Sequence, residues 1–178
     1  MNFRLAAAAA ALACASMGAQ AHLTAETSPV CSITNMPGAT ACSGAWDGNN
    51  LTRALRPMVL DELADLSGLG GWSMVATYWT ERGPSGTLNL LAPIDGAFAI
   101  ALKAGSNFSL YYFNGVGPAF TSLDYSTLGT SVNVKGKAQD LSHATLYTTA
   151  ATVPEPESYA MLLAGLMGIG VVMRRRMR

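Results

Sequence analysis

Charge is scarce in this chain, with only 12% of residues Asp, Glu, Lys or Arg, a low fraction for a soluble cytoplasmic domain. Histidine occurs only as His22 and His143, and cysteine only as Cys14, Cys31 and Cys42. Each shortage removes a class of function. Gripping a phosphate backbone requires a concentrated positive field, so no nucleic acid is expected as a partner. Cys31 and Cys42 have no neighbouring histidine with which to complete a tetrahedral zinc site. A Gly-x-Ser-x-Gly nucleophile elbow is missing. The Asp47-Gly48-Asn49-Asn50 stretch fails as a calcium loop, because the position eleven residues after Asp47 is Met58 rather than a carboxylate. No internal repeat is visible. No cofactor and no catalytic centre are expected.

The charge that is present is unevenly placed. Residues 22–152 hold six Lys/Arg against nine Asp/Glu, a net charge near −3, while Arg174, Arg175, Arg176 and Arg178 bring the whole chain to formal neutrality. Three segments follow. Residues 1–21 have the layout of a secretory signal: Arg4, an alanine-rich apolar run, then Ala19-Gln20-Ala21 with small residues where signal peptidase reads. Cleavage is expected after Ala21. Residues 22–152 form one exported domain. In residues 153–178, Val153-Pro154-Glu155-Pro156 precedes an uncharged run from Tyr159 to Met173 and then the arginine cluster.

That tail has a physical logic of its own. The prolines on either side of Glu155 prevent regular helix or sheet pairing and leave an extended, accessible backbone. The fifteen residues 159–173, as a helix, reach about 22 Å against roughly 30 Å of hydrocarbon. Snorkelling arginines and a locally thinner bilayer make up the difference. By the positive-inside rule the four arginines place the C-terminus in the cytoplasm. A single inner-membrane helix with the domain on the periplasmic side is the expected intermediate.

Within the domain, Cys31 and Cys42 stand eleven positions apart across a loop containing Pro37 and Gly38. In an oxidising compartment they are expected to form a disulfide. Residues 57–66 predict the one helix, from Pro57 with Val59, Leu63 and Leu66 at helical spacing, ending at Gly68. Alternation predicts strands at 72–79, 87–91, 97–103, 108–113, 130–134 and 143–149, with a hairpin turn across 103–107. On this reading Phe98, Ile100 and Leu102 share a face; Phe108, Leu110 and Tyr112 point opposite to Ser109, Tyr111 and Phe113. The fold class is mainly all-β, a small antiparallel β-sandwich with one short helix.

Val153-Pro154-Glu155-Pro156, the apolar run and Arg174-Arg175-Arg176 together resemble the PEP-CTERM sorting signal of Gram-negative bacteria. The resemblance covers residues 153–178 only. It implies processing near the Pro-Glu-Pro motif by an exosortase, delivery to the cell surface or beyond, and an association with exopolysaccharide and biofilm. The tail also resembles segments grouped under an ice-binding C-terminal label, which says nothing about the domain. Ala101-Leu102-Lys103-Ala104-Gly105, Phe108-Ser109-Leu110-Tyr111 and Leu141-Ser142-His143-Ala144-Thr145-Leu146-Tyr147 resemble blocks in uncharacterised PEP-CTERM proteins, and no activity comes with them.

Three pieces of chemistry are on offer in the domain. Ser142-His143 with Asp140 suggests a hydrolase, but neighbours on a strand project to opposite faces. Asp95, Asp124 and Asp140 offer carboxylates for glycoside hydrolysis, with nothing in their spacing to pair them. No metal site is assigned; the alternative is that His22, first after cleavage, offers its α-amine and imidazole to copper with His143 as a third nitrogen. That arrangement is similar to the histidine brace of secreted oxidative polysaccharide enzymes. The leading expectation is a non-enzymatic surface or matrix protein. The alternative is a secreted polysaccharide-active enzyme or carbohydrate-binding module, with Trp72, Trp79, Tyr111 or Tyr112 as stacking surfaces.

Overall fold

The strand Phe98–Ala104 alternates large and small side chains, and this alternation sets the layers of the molecule. Phe98, Ile100 and Leu102 face one way, Ala99 and Ala101 the other, and all seven residues are buried. A strand buried on both faces must lie at the centre. The computed structural model describes residues 23–24, 30–79 and 83–149. In chain order the elements are β1 (Ala41–Asp47), α1 (Arg56–Ser67), β2 (Trp72–Tyr78), β3 (Ser85–Ile94), β4 (Phe98–Ala104), β5 (Asn107–Phe113), β6 (Phe120–Ser126) and β7 (Leu141–Thr149).

Five strands form an antiparallel sheet in the order β1-β5-β4-β7-β2, and β3 with β6 forms a separate two-stranded ribbon. The ribbon covers the face of Phe98, Ile100 and Leu102, where Leu88, Leu123 and Tyr125 join Tyr111, Phe113 and Leu146 in one apolar cluster. Helix α1 covers the other face, packing Val59 and Leu63 near Ala99, Ala101, Phe108, Leu110 and Tyr147. The small alanines of β4 leave room for a helix there, while the large residues on the opposite face meet the flatter ribbon. The mainly antiparallel β architecture with one helix is as expected. The sandwich, however, is unequal, with five strands against two, and the helix closes its outer side.

The β4–β5 hairpin pairs Ala104 with Asn107, leaving Gly105 and Ser106 as its two-residue turn. Gly105 has φ +52° and Ser106 does not have a positive φ, the pattern of a type II′ turn. Helix α1 carries Pro57 in its first turn, and the Gly68 N–H closes it on the Ala64 carbonyl at 2.8 Å. Cys31 and Cys42 are joined, with Cα atoms 6.2 Å apart, so the segment before β1 is tied to that strand.

Three expectations of strand placement need correction. Residues 130–134 are not a strand: only Val132 pairs, with Ala138, and the Asn133 side chain accepts from the N–H groups of Lys135 at 2.9 Å and Lys137 at 3.2 Å. That side chain captures the backbone in a turn before a ladder can form. β1 and β6 were absent from the expected strands. β1 contains Gly44 and a register shift between Ser43 and Trp46 that breaks its alternation. Among the described residues no helix is long and apolar enough to cross a membrane. Ala19, Ala21, His22 and the whole segment from Val153 to Arg178 lie outside the described residues.

Candidate functional site

Beyond the end of β1 the chain turns inward, and Asn50 becomes fully buried against the helix-side face of the sheet. The turn is fixed by Asn49, whose side chain accepts from the Leu51 N–H at 2.9 Å and whose carbonyl accepts from the Thr52 N–H at 3.0 Å. Asn50 Nδ2 donates to Thr145 Oγ1 at 3.0 Å and to the Tyr147 hydroxyl at 3.1 Å. Its Oδ1 lies 3.1 Å from His143 Nε2. Because the amide oxygen can only accept, the imidazole proton sits on Nε2. One asparagine thus pins a loop to three alternate residues of β7, all on one face by strand periodicity.

His143 is 3% exposed. Burial, with the Lys103 ammonium as the lesser cause, pushes its pKa down to about 4, so the ring is neutral near pH 7. Lys103 stands opposite His143 in the β4–β7 register. Its own pKa is lowered by burial and partly restored by Asp47, and its Nζ donates to the Gly105 carbonyl. Burial raises the Tyr147 phenol, and its hydrogen bond with Asn50 opposes that rise. On the other face, burial outweighs the opposing effect of Thr130 and pushes Tyr111 up to about 12, and among the described residues neither hydroxyl reaches a partner in hydrogen-bond geometry.

The Trp79 ring lies against His143, with centroids 5.1 Å apart and planes at 53°, yet Trp79 is 73% exposed. It follows β2, and with Thr77 of that strand it lines an open groove of about 890 Å³ whose other wall is β3. Ser85, Thr87 and Asn89 come from β3, and Tyr125 from β6 lies alongside. Thr87 Oγ1 donates to Asp124 at 2.6 Å. Among the described residues, those that line the groove carry no carboxylate, ammonium or guanidinium group.

Of the four aromatics read as stacking surfaces, Trp72 and Tyr111 are buried, Tyr112 is half-buried, and Trp79 is open to solvent. Burial of Trp72 follows from its contact with the edge of Tyr112 and its Nε1–H donation to Ser67 Oγ at 3.1 Å. Ser142 is exposed whereas His143 is buried and held by Asn50, so the structure does not bring them together as a nucleophile and base. Asp95, Asp124 and Asp140 are exposed on the β3–β4 connection, on β6 and just before β7. Among the described residues no three His, Cys, Asp or Glu side chains gather as a ligand set.

Asn50 escaped the sequence reading because an Asp-Gly-Asn-Asn run is fully explained by a turn. The remaining signal was one asparagine more than that turn requires. The groove escaped because its walls, β2 and β3, do not pair with each other, and their approach depends on how the ribbon stacks on the sheet.

No curated protein and no solved structure matches the chain. Residues 152–176 match the PEP-CTERM protein-sorting motif, a span containing Val153, Pro154, Glu155, Pro156, Arg174, Arg175 and Arg176. The chain therefore carries a PEP-CTERM protein-sorting motif, the mark of an exosortase-processed surface protein that passes the membrane.

Proposed function

We propose that this protein is a non-enzymatic component of the cell surface or extracellular matrix of a Gram-negative bacterium, associated with exopolysaccharide. Signal peptidase removes residues 1–21. The tail holds the chain in the inner membrane with Arg174, Arg175, Arg176 and Arg178 on the cytoplasmic side, until exosortase acts near Pro154-Glu155-Pro156. The domain of residues 22–152 is then free of both apolar ends. The sorting motif at residues 152–176 carries this reading. The Cys31–Cys42 bond supports it, because such bonds persist outside the reducing cytoplasm.

The test is fractionation of the producing cells with and without the exosortase gene. The expected result is protein in the surface and matrix fractions of the parent and retention in the inner membrane of the deletion strain. An identical distribution in both strains would remove exosortase from the pathway. In the parent, matrix protein that is released when the polysaccharide is digested would support the exopolysaccharide association; indifference to digestion would refute it.

A further inference from the structure

The tail continues from one end of the central sheet, and the strand register identifies that end. β7 finishes at Thr149, which pairs with Trp72 at the start of β2. Thr148 pairs with Phe98 at the start of β4, and Phe98 with Phe113 at the end of β5. The connections 68–71, 95–97 and 114–119 therefore crown the end from which residues 150–178 continue. Residues 36–40 join them: the Thr40 N–H donates to the Tyr112 carbonyl at 2.7 Å, and a Cβ on Gly38 would come within 3.3 Å of the Phe120 ring. These four stretches include one charged residue, Asp95. Lys135 and Lys137 lie at the opposite end, before β7 begins.

At the tail end an apolar side chain is held out into solvent by the backbone itself. Val116 is 83% exposed. The Asn114 side chain accepts from its N–H at 3.0 Å, and its neighbours Gly115 (φ +70°) and Gly117 (φ +128°) take conformations that favour glycine. Gly115 meets the β3–β4 connection so closely that a Cβ there would fall 2.0 Å from the Gly96 carbonyl carbon. This backbone-to-backbone clamp fixes the turn, so Val116 is not outside the core through looseness. Leu69, between Gly68 and Gly70, is also exposed at this end.

We infer that this end of the domain rests on the lipid headgroups of the inner membrane while the tail is in place, with Val116 and Leu69 entering the interface. The inference rests on the proposed membrane-held tail. Tyr159 is ten positions beyond Thr149, so the end lies at most about 36 Å from the start of the apolar run. Within that reach the contact is intramolecular, and even a weak apolar insertion stays occupied. Docking fixes the height of Thr149 and so keeps Pro154-Glu155-Pro156 beside the membrane surface. A second copy is a poor occupant, because two such ends cannot face each other while both tails enter one bilayer.

The test places the full chain, with Cys14→Ser, in vesicles of phosphatidylethanolamine and phosphatidylglycerol. One nitroxide at a time is attached through Val116→Cys, Leu69→Cys, Val134→Cys or Leu166→Cys, while Cys31 and Cys42 stay joined. Collision with oxygen, which enters lipid, and with a nickel chelate, which stays in water, reads immersion. Labels at positions 116 and 69 are expected to be shielded from nickel and rich in oxygen collisions, and the label at 134 to remain open to nickel. Val116→Asp, at an exposed position, is expected to return the label at 69 to water. Labels at 116 and 134 that read alike would overturn the inference. So would immersion at 116 that appears only when exosortase is added, which would assign this end to the enzyme. The label at 166 separates the two claims. Immersion there with position 116 in water keeps the membrane-held tail and removes the docking; water at 166 removes the tail reading and the docking that rests on it.

Discussion

Toward the ribbon, the central sheet presents Phe98, Ile100, Leu102, Tyr111, Phe113 and Leu146; toward the helix it presents Ala99, Ala101, Lys103, His143, Thr145 and Tyr147. The first face is closed by apolar and aromatic packing. Phe98 stacks on Phe113 with centroids 4.5 Å apart, and Phe120 of the ribbon meets both rings edge-on. The second face is closed partly by Val59 and Leu63 and partly by the Asn50 network. Packing of the first kind sets overall stability and tolerates many sequences of similar volume. A buried polar network adds less net energy, but it admits one loop position and one imidazole orientation.

Substitutions on the two faces separate these roles. Phe98→Ala is expected to cost the most, about 3–5 kcal/mol, read as a shift of the denaturant midpoint. The contrast would break if that variant lost no more than an exposed substitution does. Acidification should tell on the helix side. His143 is held at about 4 in the fold against about 6.5 unfolded, so the unfolded chain takes up the proton first. Its contribution is whole above pH 6.5, is lost as pH falls toward 4, and changes no further below that. The loss is about 3 kcal/mol, measured as the difference in pH-dependent stability between the parent and His143→Gln. A flat difference between pH 6.5 and 4 would mean the imidazole is not buried neutral.

Asn50→Ala should cost about 2–3 kcal/mol, because it strands the His143, Thr145 and Tyr147 groups it now pairs. It should also increase hydrogen exchange in residues 48–55 while leaving the ribbon-side amides protected. Uniform loosening of both faces would show that the network stabilises the whole fold rather than one loop. Trp79→Ala should change stability by no more than about 0.5 kcal/mol, as expected of an exposed side chain. A larger cost would make its contact with His143 structural and sharpen the boundary between support and surface.

The ribbon-side face was legible in the sequence and the helix-side polar cluster was not. Phe98-Ala99-Ile100-Ala101-Leu102 and Phe108 to Phe113 announce their faces through period-two alternation, which is local. The helix could be read from Pro57, the apolar spacing and Gly68. β1 was hidden by its bulge, and Asn133 turned a valine-rich stretch into a loop. Asn50 meets His143, Thr145 and Tyr147 across 93 to 97 residues of chain, a distance over which periodicity carries no information. The tail stands apart from all of these. Its instructions are written in consecutive residues for another enzyme to read, so sequence alone was enough to find it.

Intact-mass analysis of the protein recovered from the surface fraction tests the central claim most directly, because one spectrum reports both ends. The expected species begins at His22 and ends near Pro154-Glu155-Pro156, without the apolar run or the arginines. A surface protein that still carries Arg178 would contradict it and make the tail a permanent anchor.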